Sequence, residues 1–420
     1  MKIAVSSYSF SQALNDGRMT IMDVIPKAKE LGYDGIEFVR MGQTLEELRE
    51  LAPKLKAQSE EYDMPIIAYM AGADFIKNDF DQQVNELCRE AEIACLMGAP
   101  RMRHDSTAGK DADGREYTVE EALPIVAKGY RAVTEFAAGL GIHTMIEKPV
   151  GIFPEELNAL TESLHAHPEV KAGVLYCRRT NPIFLQIKDF LDSGALGQLK
   201  RVTWIITNAS VYRTQAYYNT ATWRGTYMGE GGGLLLNQVS HHIDMLVWLL
   251  GLPEAIQANC YTARERNIEV ENEVSVTMEY PGQAIGQFIS STREFPGTNR
   301  LEISGSKAQL ILENEKDLTI RKLGVEETEF NKTTNIPYAF IPYEEEVIHF
   351  DFYENPEIQS RIVNNFLSAI TDGTPIACPV EDAIRSQQFI QATYLSSWQN
   401  KKLALPTDDA AYTEELKKRQ

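Results

Sequence analysis

The sequence predicts an α/β fold in two lobes, and three observations carry that reading. Strand and helix patterns alternate through the first third of the chain. Short alternating strands with turn punctuation succeed one another over residues 255–313. Two long helical patterns, 356–371 and 380–399, follow them and close the second lobe. Repeated strand–helix units imply a parallel sheet covered by helices, whereas a run of alternating strands implies an antiparallel meander.

In order, the first lobe predicts a strand at 2–10 and a helix at 20–31 stopped by Gly32. A strand at 34–39 and a long helix at 45–61 follow. A strand at 64–70 with a helix at 81–97 makes the third unit, and a strand at 100–104 with a helix at 119–140 the fourth. A fifth strand, 143–147, reads HTMIE. The chain then continues with a helix at 154–165, a strand at 171–177, a helix at 182–193 and a strand at 200–208. Meander strands are expected at 255–263, 271–280, 284–292, 300–305 and 308–313. The acidic run Glu344–Glu345–Glu346 reads as a solvated loop.

Within the second lobe stands Gly229–Glu230–Gly231–Gly232–Gly233, running into an apolar stretch that ends at Gly251 with Pro253 beyond. Glycines admit backbone turns closed to other residues and let a substrate approach the main chain. The stretch after them reads as one helix, with Asn237, His241 and Asp244 at i, i+4 and i+7 on one face. A polar stripe on an apolar helix is either hydrogen-bonded internally or at work.

Bulk properties exclude several classes. The chain has 420 residues, enough for two domains with full cores, and a formal charge of −19 that argues against a nucleic-acid partner. No apolar run approaches a membrane span, and the polar start at Met1 is too short for a signal peptide. Five scattered cysteines, Cys88, Cys95, Cys177, Cys260 and Cys378, show no metal-like spacing and fit a reduced, cytoplasmic setting.

Two resemblances then emerge. MKIAVSSYSF, AKELGYDGIEFV and GIHTMIE resemble the first half of a xylose-isomerase-like TIM barrel of the sugar-phosphate isomerase/epimerase kind, over residues 1–147. That resemblance implies a metal-ligating glutamate at the end of the fifth strand, matched by Glu147, but the strands that would bring the other ligands are absent. From Glu147 to Gln420, the Glu147–Lys148–Pro149 motif, the glycine cluster with its Asn237-x-x-x-His241 pair and the later GTNRLEISGSKAQLILEN resemble the Gfo/Idh/MocA oxidoreductases. That family implies a Rossmann domain followed by an α/β domain with an open, mostly antiparallel sheet.

The expected architecture is therefore a parallel β/α lobe over 1–178, a partial barrel (1–147) continued by Rossmann-type units (148–178), and a C-terminal substrate and oligomerisation domain over 179–420. The G-x-G-x-x-G turn of a dinucleotide fold is missing from this sequence. Gly139–Leu140–Gly141 precedes a strand instead of following one, and Gly229–Glu230–Gly231 lies far downstream. The two halves read as a fusion joined at Glu147.

The second resemblance implies an NAD- or NADP-dependent dehydrogenase acting on a sugar or cyclitol hydroxyl. Carried residue by residue, Lys148, Asn237 and His241 surround the reacting carbon. Histidine has the pKa for taking the hydroxyl proton, and Lys148 donates to the same oxygen. Many relatives have aspartate where Asn237 stands. Asp244 either fixes the tautomer of His241 or binds substrate hydroxyls. Glu147, Lys148, Pro149, Tyr176 and Arg178 are the expected cofactor-side residues. Trp223, Arg224 and His242 are expected on the substrate side, with a packing tryptophan and a solvated arginine as the other reading of the first two. His104 and Asp105 read as structural, and His165 and His167 as solvated. The expected partners are a small sugar or polyol and further copies of the chain through the C-terminal sheet, with no nucleic acid and no membrane. The alternatives are a metal-dependent sugar isomerase or epimerase using a divalent ion at Glu147, and a folded but inactive fusion product. Dependence of activity on a divalent ion separates the first of these, and silence on a polyol panel the second.

Overall fold

The computed structural model describes residues 3–420 except 118–121, 123–124, 127, 131, 134–135, 138–139, 141–142 and 352–354. Half of the expected helix at 119–140, and the glycines at 139 and 141, fall on these excluded positions. Two compact units are present. The first comprises Met1–Thr144 with His167–Val170, and the second Met145–Ala166 with Lys171–Gln420. The division expected at 178/179 falls inside the second unit.

In the first unit, strands β1 (Ala4–Ser6), β2 (Gly35–Val39), β3 (Ile66–Ala71) and β4 (Met102–His104) form one parallel sheet in sequential order. The connecting helices are α1 (Val24–Glu30), α2 (Leu45–Glu61) and α3 (Phe80–Met97). Helix α2 starts where a capping box dictates: Thr44 Oγ1 accepts from Glu47 N–H and the Glu47 carboxylate accepts from Thr44 N–H. Helix α3 ends at Gly98, which takes the left-handed conformation open to glycine. Ile36, Phe38, Ile66, Tyr69, Leu48, Leu55 and Leu87 form the core of this unit. The first strand is shorter than expected. After Ser6 the chain coils into a 3-10 turn, Ser7–Phe10, because Ser6 Oγ accepts from Tyr8 N–H.

In the second unit, β5 (Thr144–Ile146) and β6 (Ala172–Val174) make a two-stranded sheet of their own, joined through α4 (Pro154–Ala166). They do not continue the four-stranded sheet as the expected lobe required. The rest of the unit is built on a nine-stranded mixed sheet, order β14-β13-β12-β11-β7-β10-β9-β8-β15. It contains β7 (Leu199–Ile206), β8 (Ala255–Thr262), β9 (Glu271–Tyr280), β10 (Ala284–Ser291), β11 (Asn299–Gly305) and β12 (Ala308–Glu313). Strands β13 (Asp317–Leu323), β14 (Tyr343–His349) and β15 (Leu403–Ala404) complete it. All pairings are antiparallel except β7 with β10.

Trp204, Phe288, Val276, Met278, Leu301 and Ile303 fill the inner face of this sheet. The packing helices are α5 (Pro182–Asp192), α6 (Ser240–Leu250), α7 (Asn355–Thr371), α8 (Val380–Gln399) and α9 (Asp409–Lys417). The outer face carries exposed Gln257, Asn259, Thr277, Glu279, Ile285 and Gln287 in strict alternation, the pattern of a sheet with one wet side. Glu344, Glu345 and Glu346 lie on β14 and not in a loop. As an edge strand exposed along nearly its whole length, β14 needs no apolar alternation.

Candidate active site

The helix that carries the histidines starts later than the apolar pattern predicts. Residues 231–239 form turns, and α6 begins at Ser240. Two anchors hold the turn. Gly233 N–H donates to Glu271 Oε2 (3.0 Å) and Leu235 N–H to Glu271 Oε1 (2.9 Å), while Tyr394 Oη–H also donates to Oε1 (2.7 Å). A side chain at Gly232 or Gly233 would collide with Tyr394 Oη or the Glu271 carbonyl. The glycines thus serve packing around a buried carboxylate, and Glu271 is a residue the sequence reading missed. Burial outweighs its three hydrogen bonds and pushes its pKa up to about 7.

Because α6 starts at Ser240, Asn237 is off the helix and the expected stripe separates. Asp244 points into the protein. Its carboxylate takes a two-point bond from Arg179, Nε at 2.8 Å and Nη2 at 2.7 Å, and a third from Ser386 Oγ at 2.9 Å. Arg179 also reaches Asp382 Oδ2 at 2.6 Å. A fully buried, three-bonded aspartate with a guanidinium partner holds α6 to the turn before α5 and to α8. Its place in the expected catalytic set is therefore corrected to a structural one. The signal that could have revealed this, Arg179, lies 65 residues away in sequence.

His242 is also buried. Neutral at physiological pH because burial and the neighbouring Arg178 hold its pKa well below the usual imidazole range, it donates from Nε2 to Glu315 Oε1 (3.1 Å) and lies edge-on to Trp204. Glu315 binds Arg178 and accepts from Asn299 Nδ2 (3.2 Å). Burial pushes the Arg178 guanidinium down to about 10. Arg178 and His242 are thus tied to the loop after β12, which opposes the substrate role expected for His242.

The remaining residues do come together. Lys148, two residues after β5, donates from Nζ to the main-chain oxygen of Asn237 (3.0 Å). Burial lowers its pKa, opposed by the carboxylates of Glu147 and Glu230. The Lys148–Pro149 peptide is cis. Asn237 Nδ2 donates to Glu230 Oε1 (2.5 Å) and to Tyr217 Oη (3.3 Å). Tyr217 Oη accepts from Arg224 Nη1 (2.7 Å), whose guanidinium lies over the rings of Tyr217 and Trp223. Trp223 is 37% exposed, so the Trp223–Arg224 pair forms a wall partly open to solvent.

His241 sits four residues after Asn237. Its ring meets the buried Tyr176 edge-on at 5.5 Å, and its Nδ1 is buried without a hydrogen-bond partner among the described residues. Burial, with Arg178 and Lys148 adding positive charge, holds its pKa down at about 3. A neutral imidazole, an ammonium and an amide thus converge, which is a set able to accept a proton and to stabilise an oxyanion.

No group of three His, Cys, Asp or Glu that could hold a metal ion is present among the described residues, and Glu147, exposed after β5, belongs to no such group. His104 and Asp105 line an open cleft of about 400 Å³ in the first unit with Asp74, Thr107 and Tyr130. The Asp74 carboxylate there is occupied by Ile76, Lys77 and Ala108 N–H groups. No described helix is long and apolar enough to cross a membrane.

The residues after β1 do not fit a dinucleotide pyrophosphate. Ser6 and Ser7 spend their hydroxyls on Tyr8 and Val39 N–H groups, and no glycine lets the main chain approach a phosphate. The described strands of that sheet also show no reversal of order, where such ligands ordinarily bind.

Residues 184–311 match the GFO/IDH/MocA C-terminal domain family. Inositol 2-dehydrogenase of Rhizobium meliloti (strain 1021) is 22% identical over 349 residues, covering 74% of this chain and 98% of that protein. A scyllo-inositol 2-dehydrogenase (NADP(+)), IolW of Bacillus subtilis (strain 168), is 30% identical over 140 residues, 33% of this chain and 37% of its own. Oxidoreductase P35 of Formosa agariphila is 29% identical over 140 residues, covering 33% of this chain, and the match spans 43% of its length.

Among solved structures, a levoglucosan dehydrogenase in complex with NADH and levoglucosan superimposes with a TM-score of 0.56 at 17% identity. It covers 89% of this chain and 99% of that one. The WlbA dehydrogenase of Bordetella pertussis, in complex with NADH and UDP-GlcNAcA, gives 0.53 at 18% identity over 89% and 98%. Over most of its length the chain is therefore similar to Gfo/Idh/MocA oxidoreductases, with a parallel α/β sheet followed by a mixed, mostly antiparallel one. Coverage of 89% takes in most of residues 1–147, so the xylose-isomerase-like resemblance there, and the fusion built on it, are not supported. Repeated strand–helix units are common to barrels and open wound sheets, and their pattern alone does not separate the two.

Proposed function

We propose that this chain is an NAD(P)-dependent dehydrogenase acting on a carbinol of a sugar or cyclitol. The observation that carries the reading is that Lys148 Nζ, bonded to the main-chain oxygen of Asn237, lies within electrostatic reach of the His241 imidazole. The family match over 184–311 and the inositol- and levoglucosan-dehydrogenase relatives support it. Lys148 holds its ammonium toward the substrate oxygen and stabilises negative charge there as the hydroxyl proton departs. His241, neutral at physiological pH, takes that proton. Glu147 and Pro149 flank Lys148 and are assigned to the cofactor side, whereas Tyr176, fully buried against His241, packs the imidazole. No step is routed through the cofactor, because the turn after β1 does not suit its pyrophosphate.

Reduction of NAD and NADP is to be followed with myo-inositol, scyllo-inositol and neutral monosaccharides. Lys148→Ala and His241→Ala are each expected to lower kcat by roughly 10²–10⁴-fold on any substrate turned over. Turnover that survives both substitutions unchanged would sink the assignment.

A further inference from the structure

We propose that Glu230 is the positioning residue of this site, fixing the Asn237 amide so that its oxygen stands as the acceptor for a substrate hydroxyl. The inference rests on the dehydrogenase reading and deepens it. Chemistry dictates the amide's orientation. The two Nδ2 protons meet Glu230 Oε1 at 2.5 Å and Tyr217 Oη at 3.3 Å, and a flipped amide would set its oxygen against a carboxylate.

Glu230 is itself clamped. Its other oxygen, Oε2, accepts from Gly225 N–H at 2.6 Å, and Gly225 holds a left-handed conformation, φ +72°, in which glycine aims that N–H without strain. At the opposite end Lys148 pins the main-chain oxygen of Asn237. Asn237 is therefore tied at its main-chain oxygen and at both amide protons, and only Oδ1 is left to meet a ligand. The substrate class that suits it carries a donor hydroxyl beside the reacting carbon, as a vicinal diol of a ring polyol does. An analogue with a methoxy group or hydrogen at that carbon offers no donor. Glu230 also places a carboxylate within electrostatic reach of the Lys148 ammonium.

The test is a charge swap with Glu230→Gln, Asn237→Asp and the double variant. Each is assayed for turnover of myo-inositol and for the titration of Lys148 by NMR of the lysine ε-methylenes. Glu147, Glu230, Cys177, Arg213 and His241 all interact electrostatically with that ammonium, so the variants are compared with each other on one background. Glu230→Gln is expected to raise KM about 10-fold with less effect on kcat, and to lower the Lys148 titration. Asn237→Asp sets two carboxylates face to face and is expected to lose about 100-fold in kcat/KM. In the double variant the carboxylate and the amide exchange places, so that a donor again faces an acceptor. It is expected to recover to within a few-fold of the parent and to restore the Lys148 titration. A double variant no better than Asn237→Asp, or a Glu230→Gln protein with unchanged KM and unchanged Lys148 titration, would overturn the proposal. Should no variant or parent turn over any polyol while Lys148 still shifts and recovers, the positioning stands and the dehydrogenase reading fails instead.

Discussion

At the scale of single residues, two buried titratable groups in the second unit pull stability in opposite directions. Glu271, raised to about 7 by burial, binds its proton more tightly folded than unfolded. Its contribution is complete below the ordinary carboxyl value of 4.5 and is lost as pH rises through about 7. His241, held down at about 3, works the other way, its contribution being present above 6.5 and lost as pH falls. The difference between parent and Glu271→Gln melting profiles isolates the first effect. It is expected to show the parent losing on the order of 1–3 kcal/mol relative to the variant between pH 4.5 and 7. A parallel pair of profiles would mean that the three donors to Glu271 keep it ionised throughout. Asp244 shows why residue roles were only half legible. Its spacing from His241 is visible in sequence, but the Arg179, Asp382 and Ser386 groups that claim it arrive from three other places in the chain.

At the scale of elements, the glycine cluster and Gly251 bracket the turn and helix that carry Asn237 and His241, and they do so for different reasons. Gly233 lies against Glu271 and Val270 with no room for a methyl group, whereas Gly251 has open space around it but a positive φ of 78°. Gly233→Ala is expected to cost about 3 kcal/mol through overpacking, and Gly251→Ala about 1 kcal/mol through backbone strain. Denaturant unfolding of the two variants checks the order, and equal losses would contradict the packing account. The regular elements were legible where periodicity was strong. Helix α2, helix α8, β9 and β12 lie where the pattern put them, since long amphipathic helices and half-buried strands leave a clear period. The start of α6 was not legible. Leu234–Leu235–Leu236 is apolar because the turn is buried around Glu271, and an apolar run reads alike as helix or buried turn. Strand β14 was missed for the converse reason, since an exposed edge strand carries no buried face to mark it.

At the scale of the whole molecule, fold and chemistry came from different parts of the sequence. The second unit's mixed sheet, the Lys148–Pro149 strand end and the Asn237–His241 spacing all pointed to one family, and the match over residues 184–311 agrees with them. The first unit's strand–helix repeats were read as half of a barrel because local pattern specifies layers and leaves family open; likeness over 89% of the chain to dehydrogenase structures is what corrects that. The same unit offers no glycine turn after β1, so cofactor binding has to be tested directly. The decisive measurement is a fluorescence titration of NADH and of NADPH into the full chain, with Lys148→Ala alongside. The account predicts saturable binding of one cofactor with a Kd of roughly 1–100 μM, weakened in the variant. No binding of either cofactor up to about millimolar concentration would contradict it.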